Sequence, residues 1–151
     1  AAAHALDEFR AVSRALNTRI VLDESFLDGK LLPRLAVDAP TWILNFRVSK
    51  LGGLTRAVEL ARDARRQGLA VIVGAHVGET SILTRAGMLF AQAAGDDLVA
   101  REGAFGTHLL REDIVKHPLM FGDGGLIPPD AISAAPGLGL DVDASKLKPI
   151  Y

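Results

Sequence analysis

Apolar positions switch between helical and strand spacing along most of the chain. Leu6, Phe9, Val12 and Leu16 recur at helical intervals, with Asp7, Glu8, Arg10 and Arg14 on the other face, which predicts a helix over 5–17. Arg19-Ile20-Val21-Leu22 reads as a short strand ending in Asp23-Glu24-Ser25. A weaker helix is expected over 26–38, with Pro33 suited to a first turn or a break. Trp42 to Val48 is the second strand, closed by Ser49-Lys50 and punctuated by Gly52-Gly53. Leu54 to Gln67 is the clearest helix, its small and aliphatic face opposed to arginines and acids, and Gly68 is placed to stop it. Leu69 to Val73 is a continuous aliphatic run of the kind buried on both faces of a parallel sheet. Glu79 to Ala94 is helical again, closed by Gly95, and Asp97 to Arg101 is a short fourth strand.

Helices alternating with parallel-type strands define an α/β fold. Four ionisable residues stand just past the four strands: Asp23, Lys50, His76 and Glu102, separated by 27, 26 and 26 residues. That interval is a βα repeat with one chemically capable side chain at each strand's carboxyl end. In a β/α barrel these ends converge on one face, where the chemistry lies. An open doubly wound sheet is the competing architecture. It would carry a glycine-rich phosphate loop after the first strand, and Asp23-Glu24-Ser25 is not one. Counting back one more interval from Asp23 passes Ala1, so the expected register begins inside a repeat. A full barrel takes about 250 residues, against 151 here.

After residue 103 glycine and proline crowd in, so loops and short irregular strands are expected, anchored by Leu119, Phe121, Leu126, Leu138 and Leu140. The division expected is 1–110 as half of a barrel and 111–151 as a tail packed on it.

Composition narrows the function classes. Seventeen Lys and Arg against 18 Asp and Glu leave a net charge of −1, so no basic surplus points to nucleic acid. The absence of cysteine excludes disulfides and thiolate metal sites. The longest apolar runs are far too short for a membrane span, and Ala1-Ala2-Ala3-His4 does not open a signal peptide. A cytoplasmic setting fits these features.

Several segments together resemble the second half of the mandelate racemase and muconate lactonizing enzyme group of the enolase superfamily. They are Val21-Leu22-Asp23-Glu24-Ser25, then Val48-Ser49-Lys50-Leu51-Gly52-Gly53-Leu54-Thr55, and Val73-Gly74-Ala75-His76-Val77-Gly78-Glu79-Thr80-Ser81-Ile82. The ending Pro136-Gly137-Leu138-Gly139-Leu140-Asp141-Val142 is also typical. The resemblance implies strands five to eight of a modified TIM-type barrel, a partial (β/α) barrel. It also implies a C-terminal segment that returns to a capping domain, with that domain and the first barrel half absent from this chain.

The implied chemistry is removal of a proton from the carbon next to a carboxylate, with the enediolate bound to a divalent metal, Mg2+ or Mn2+. Asp23 resembles the third metal-binding carboxylate; a helix cap is its plainer role. Glu24 either orients Lys50 or is solvated. Lys50 resembles the acid/base lysine after strand six, the alternative being a surface lysine. His76 stands where racemase-like members carry a histidine base, or else caps the next helix. Glu79 either faces the pocket or serves the first helical turn. Glu102 resembles the acid after strand eight near the substrate carboxylate. His108 and His117 are read as structural.

The two further metal carboxylates and a Lys-x-Lys pair implied by the resemblance would lie upstream of Ala1. One carboxylate holds magnesium poorly. The expectation is therefore part of a racemase, epimerase, acid-sugar dehydratase or cycloisomerase, inactive as it stands. Its expected partners are a small carboxylate substrate and either the missing N-terminal half or a second copy of itself, as a homo-oligomer. The other hypothesis is a non-catalytic half-barrel that assembles through its exposed strand edges.

Overall fold

Strand residues with alternating duties build the centre of the molecule, whose computed structural model describes residues 3–103, 106–128 and 131–148. The elements run α1 (Ala3–Leu16), β1 (Ile20–Leu22), α2 (Leu32–Ala36), β2 (Trp42–Phe46), α3 (Leu54–Arg66), β3 (Ala70–Val73), α4 (Ser81–Ala94), β4 (Ala100–Arg101) and the single-turn α5 (Gly106–Leu109). The four strands form one sheet in the order β1-β2-β3-β4, each pair parallel.

Side chains alternate across the sheet, and the two faces have different fates. Leu22, Trp42, Leu44, Phe46, Val71 and Val73 join the main core, where they pack with Ala57, Ala61 and Ala64 of α3 and Ala86, Phe90 and Ala94 of α4. Phe46 stands at the centre, 5.0 Å from the ring of Phe26 and 5.5 Å from that of Phe90. Val21, Ile43, Asn45 and Ile72 point to the other face, with Asn45 opposite Ile72 in the register, and Val21 there is 46% exposed. The same parity carried past the strand ends selects Asp23, Arg47, Gly74 and Glu102.

Local chemistry sets where the elements stop. The helix α3 ends where Gly68 adopts φ +76, donating its N–H to Arg65 while Leu69 donates to Ala64. Those paired bonds satisfy the last carbonyls and turn the chain into β3. Gly74 is required by a close approach: a Cβ there would stand 1.8 Å from Oδ1 of Asn45.

The expected elements are present with altered extents. The helix expected over 26–38 is a 3-10 turn at Gly29–Leu31 followed by α2, with Pro33 in its first turn. β2 stops at Phe46 rather than Val48, because 47–51 form turns. α4 begins at Ser81, not Glu79, and the fourth strand is only Ala100–Arg101. Of the apolar stripe on α1 only Leu6 is buried, while Phe9, Val12 and Leu16 are exposed. Arg10 pins that helix instead. It bonds both carboxylate oxygens of Asp38 at 2.8 and 2.9 Å and lies over Trp42, whose Nε1 also donates to Asp38.

The segment after 103 contains α5, which the sequence pattern did not predict, and one antiparallel bridge between Val115 and Val142. Its buried anchors are Leu119 and Val115, whereas Leu126 is exposed and Phe121, Leu138 and Leu140 are half-buried. The buried carboxylate of Asp113 fixes this segment to α4. It accepts from the N–H and the hydroxyl of Ser81 at 2.8 and 2.7 Å, and Ser81 Oγ in turn accepts from Leu119 N–H.

Candidate active site

The side chain that gathers the strand ends is Arg47. Its Nη2 pairs with Asp23, and its Nη1 reaches Glu24 at 2.7 Å and Nδ1 of His76 at 3.0 Å. One guanidinium thus ties the ends of β1, β2 and β3. Its side chain is 13% exposed, and its Nε–H is buried without a partner. Arginine is charged at any ordinary pH and has only donors, so it cannot accept a proton from substrate. The contact therefore makes His76 Nδ1 the acceptor and leaves the ring proton on Nε2.

Lys50 lies one turn further on and works inward. Its side chain is 7% exposed, and its ammonium bonds to the carbonyl of Asp23, to Asp23 Oδ1 at 3.2 Å and to the carbonyl of Asn45 at 3.5 Å. Three acceptors match its three N–H donors. Asp23 is therefore held by two cations at once.

Glu79 and Glu102 meet on the loop after β3. The N–H of His76 donates to Glu79 at 3.0 Å, and that of Ala75 makes a longer 3.4 Å contact with Glu102. Ser49 Oγ reaches Glu79 at 3.4 Å, and Asn45 Nδ2 approaches Glu102 at 3.4 and 3.5 Å. Oδ1 of Asn45 is buried without a partner. Both glutamates also line a cavity of about 410 Å³, walled by α4, the ends of β3 and β4, and residues 121–127. His108 and His117, read as structural, both lie after β4 in the C-terminal segment.

Among the described residues, no three His, Cys, Asp or Glu side chains are placed to hold a divalent metal. Asp23 is a single carboxylate already paired to Arg47 and Lys50. Magnesium requires several hard oxygens in near-octahedral array. The described residues do not by themselves fit that ion.

Arg47 and Asn45 are the functional candidates that the spacing argument missed. Strand parity could have found both, given that β2 ends at Phe46. Counted to Val48, the strand hides Arg47 as an ordinary internal residue and makes Lys50 the first group past it.

A parallel sheet with its ionisable side chains at one set of strand ends is the architecture of a segment of a β/α-barrel enzyme. Residues 1–146 match the enolase C-terminal domain-like family, and the chain belongs to it. Muconate cycloisomerase 1 of Acinetobacter baylyi is 27% identical over 143 residues, covering 94% of this chain and 37% of that protein. An N-acetyl-D-glutamate racemase of Pseudoalteromonas is 33% identical over 86 residues, 57% of this chain and 25% of that protein. The crystal structure of a muconate lactonizing enzyme from Klebsiella pneumoniae superposes with a TM-score of 0.74 at 29% identity, over 96% of this chain and 39% of that one. The chain thus spans well under half the length of the relatives it matches. Among the described residues, no helix is long and apolar enough to cross a membrane.

Proposed function

We propose that this chain supplies part of an active site that removes a proton from the carbon next to a carboxylate. The racemase, epimerase and dehydratase reactions begin with that step, and a cycloisomerase passes through it in the lactone-opening direction. The observation that carries the reading is the cluster of Asp23, Arg47 and His76 at three adjacent strand ends. The family membership supports it, and so do the relatives' names.

In this reading Arg47 and Lys50 supply fixed positive charge beside the substrate oxygens, where negative charge grows as the proton leaves. His76 is the group of the array able to move a proton: with Arg47 on Nδ1 it carries its proton on Nε2 and donates, and to take the α-proton on Nε2 it must part from Arg47 and carry its own proton on Nδ1. Lys50, spent on three internal acceptors, holds β1 to β2 and keeps Asp23 in place. The alternative, Lys50 as the base, requires its ammonium to leave all three. Glu102 acts as a hydrogen-bonding acid near the substrate, and Glu79 orients the His76 backbone.

The chain's short span beside its relatives supports an incomplete site. The test is exchange of the α-proton in D2O, followed by proton NMR over a panel of N-acyl amino acids, 2-hydroxy acids and unsaturated diacids. The whole protein that contains this segment exchanges at least one class, His76→Asn suppresses the exchange, and the 151-residue chain alone shows none. Exchange by the chain alone would sink the incompleteness. No exchange by the whole protein on any acid would sink the reaction class.

Self-assembly is the second reading. Among the described residues β1 pairs only with β2 and β4 only with β3, and Val21 of the inner face is exposed. Such edges recruit partners. A monomer in sedimentation velocity at high concentration would remove this reading.

A further inference from the structure

Helix α4 has two apolar faces. Ala86, Phe90 and Ala94 are buried against the sheet. A second stripe, Leu83, Thr84, Gly87, Met88 and Ala91, is half-buried and lines the 410 Å³ cavity. Across from it stand Val73 and Gly103 at the sheet edge and Phe121, Leu126 and Ile127 of the later segment. Gly103 makes room for that wall, since a Cβ there would stand 2.6 Å from the Phe121 ring. The charged lining residues are Glu79, Arg101 and Glu102, two of which belong to the loop contacts beside His76.

Gly87 is the residue that asks for a reason. Glycine weakens a helix interior relative to alanine. Two common reasons to keep one are a positive φ and a close approach. Gly87 is not among the positive-φ glycines, and a Cβ built on it meets nothing within 4 Å. Its missing side chain leaves space in the cavity instead.

We propose that this cavity receives an apolar substituent of the carboxylic acid on which the site acts. The inference rests on the reaction class proposed above and adds the substrate's shape to it. Its volume is in the range of small-molecule pockets. Its walls are largely aliphatic and aromatic carbon away from Glu79, Arg101 and Glu102, so a polar substituent seated against them would lose more water than it gains in partners. A phenyl or branched aliphatic group matches both constraints, with the acid end directed to the strand-end cations.

The test titrates the 151-residue chain with phenylacetate, acetate and toluene and follows backbone amides by NMR. Phenylacetate shifts the amides of Gly87 and Phe121 together with those of Arg47 and His76. It binds about tenfold or more tightly than acetate, the effect of burying a ring. Gly87→Leu fills the space: it raises Tm, weakens phenylacetate about tenfold or more and leaves acetate unchanged. Gly87→Ala, the milder variant, raises Tm and weakens phenylacetate less. The proposal is overturned if phenylacetate binds no better than acetate, or if Gly87→Leu folds and leaves phenylacetate binding intact. If toluene shifts Gly87 while neither acid shifts Arg47 or His76, the carboxylate reading fails, and the substituent proposal with it. If acetate shifts Arg47 and His76 but phenylacetate leaves Gly87 untouched, the reaction class stands and only the cavity proposal fails.

Discussion

Nη1 of Arg47 lies 3.0 Å from Nδ1 of His76. A guanidinium offers no lone pair, so this contact selects the Nε2–H tautomer of the ring. Arg47→Met removes the selection and frees Asp23 and Glu24 from their shared cation. The expected outcome is a change of the His76 ring from one tautomer to a mixture, read from long-range proton–nitrogen NMR spectra. Arg47→Lys, with a single point charge, restores the pairing to Asp23 without restoring the tautomer. An unchanged His76 nitrogen pattern in Arg47→Met would show that the contact does not form in solution.

Asp23 is shared between Arg47 and Lys50, and among the described residues no three His, Cys, Asp or Glu side chains are placed to hold a metal. Mn2+ added to the chain in sub-stoichiometric amounts should therefore leave the amides around Asp23 unbroadened. Broadening centred on Asp23 would show that a cation can displace both side chains.

Asp113 is buried and carries the bonds that join the C-terminal segment to the first turn of α4. Asp113→Ala leaves Ser81 N–H and its hydroxyl without their acceptor. A loss of about 3 kcal/mol in urea unfolding is expected, and Asp113→Asn should lose about half as much. Proteolysis should cut the variants first between residues 103 and 128. Equal stability of Asp113→Ala and the wild type would contradict the assignment.

The Arg10 guanidinium holds the Asp38 carboxyl below its ordinary 3.8, helped by the Trp42 N–H. A carboxyl that is more acidic in the folded state adds stability above its unfolded pKa. That contribution falls away as pH drops from 3.8 through the lower folded value. For this partly exposed bidentate pair it is about 1 kcal/mol. Asp38→Asn should therefore be less stable than the wild type at pH 7, and the gap should narrow below pH 3.8. A gap that stays constant down to pH 2 would assign the loss to packing around Trp42 instead.

Much of this architecture was legible in the chain. The 26–27-residue interval predicts a parallel βα repeat, which the sheet shows, although the strands end at Leu22, Phe46, Val73 and Arg101, an uneven spacing. Periodicity places α3 and β3 closely: Gly68 is a local helix stop, and the aliphatic run of β3 breaks at Gly74. Where such markers are weak, periodicity misleads. In 26–38 the turn at Asp28 and Pro33 interrupts what periodicity joins, and after 103 hydrophobicity named anchors that the tertiary contacts do not bury.

The residue pattern alone determined the α/β order, the parallel strands and the edge on which the ionisable groups collect, since each follows from local periods and turn residues. It could not determine which groups touch. Ending β2 at Phe46 instead of two residues later makes Arg47, not Lys50, the first ionisable group past the strand, because the chain turns at 47–51. That endpoint depends on the turn over 47–51, on Gly74 admitting Asn45 and on Lys50 bonding back to Asp23. The last two are contacts between residues distant in sequence, and only the folded sheet brings them within reach.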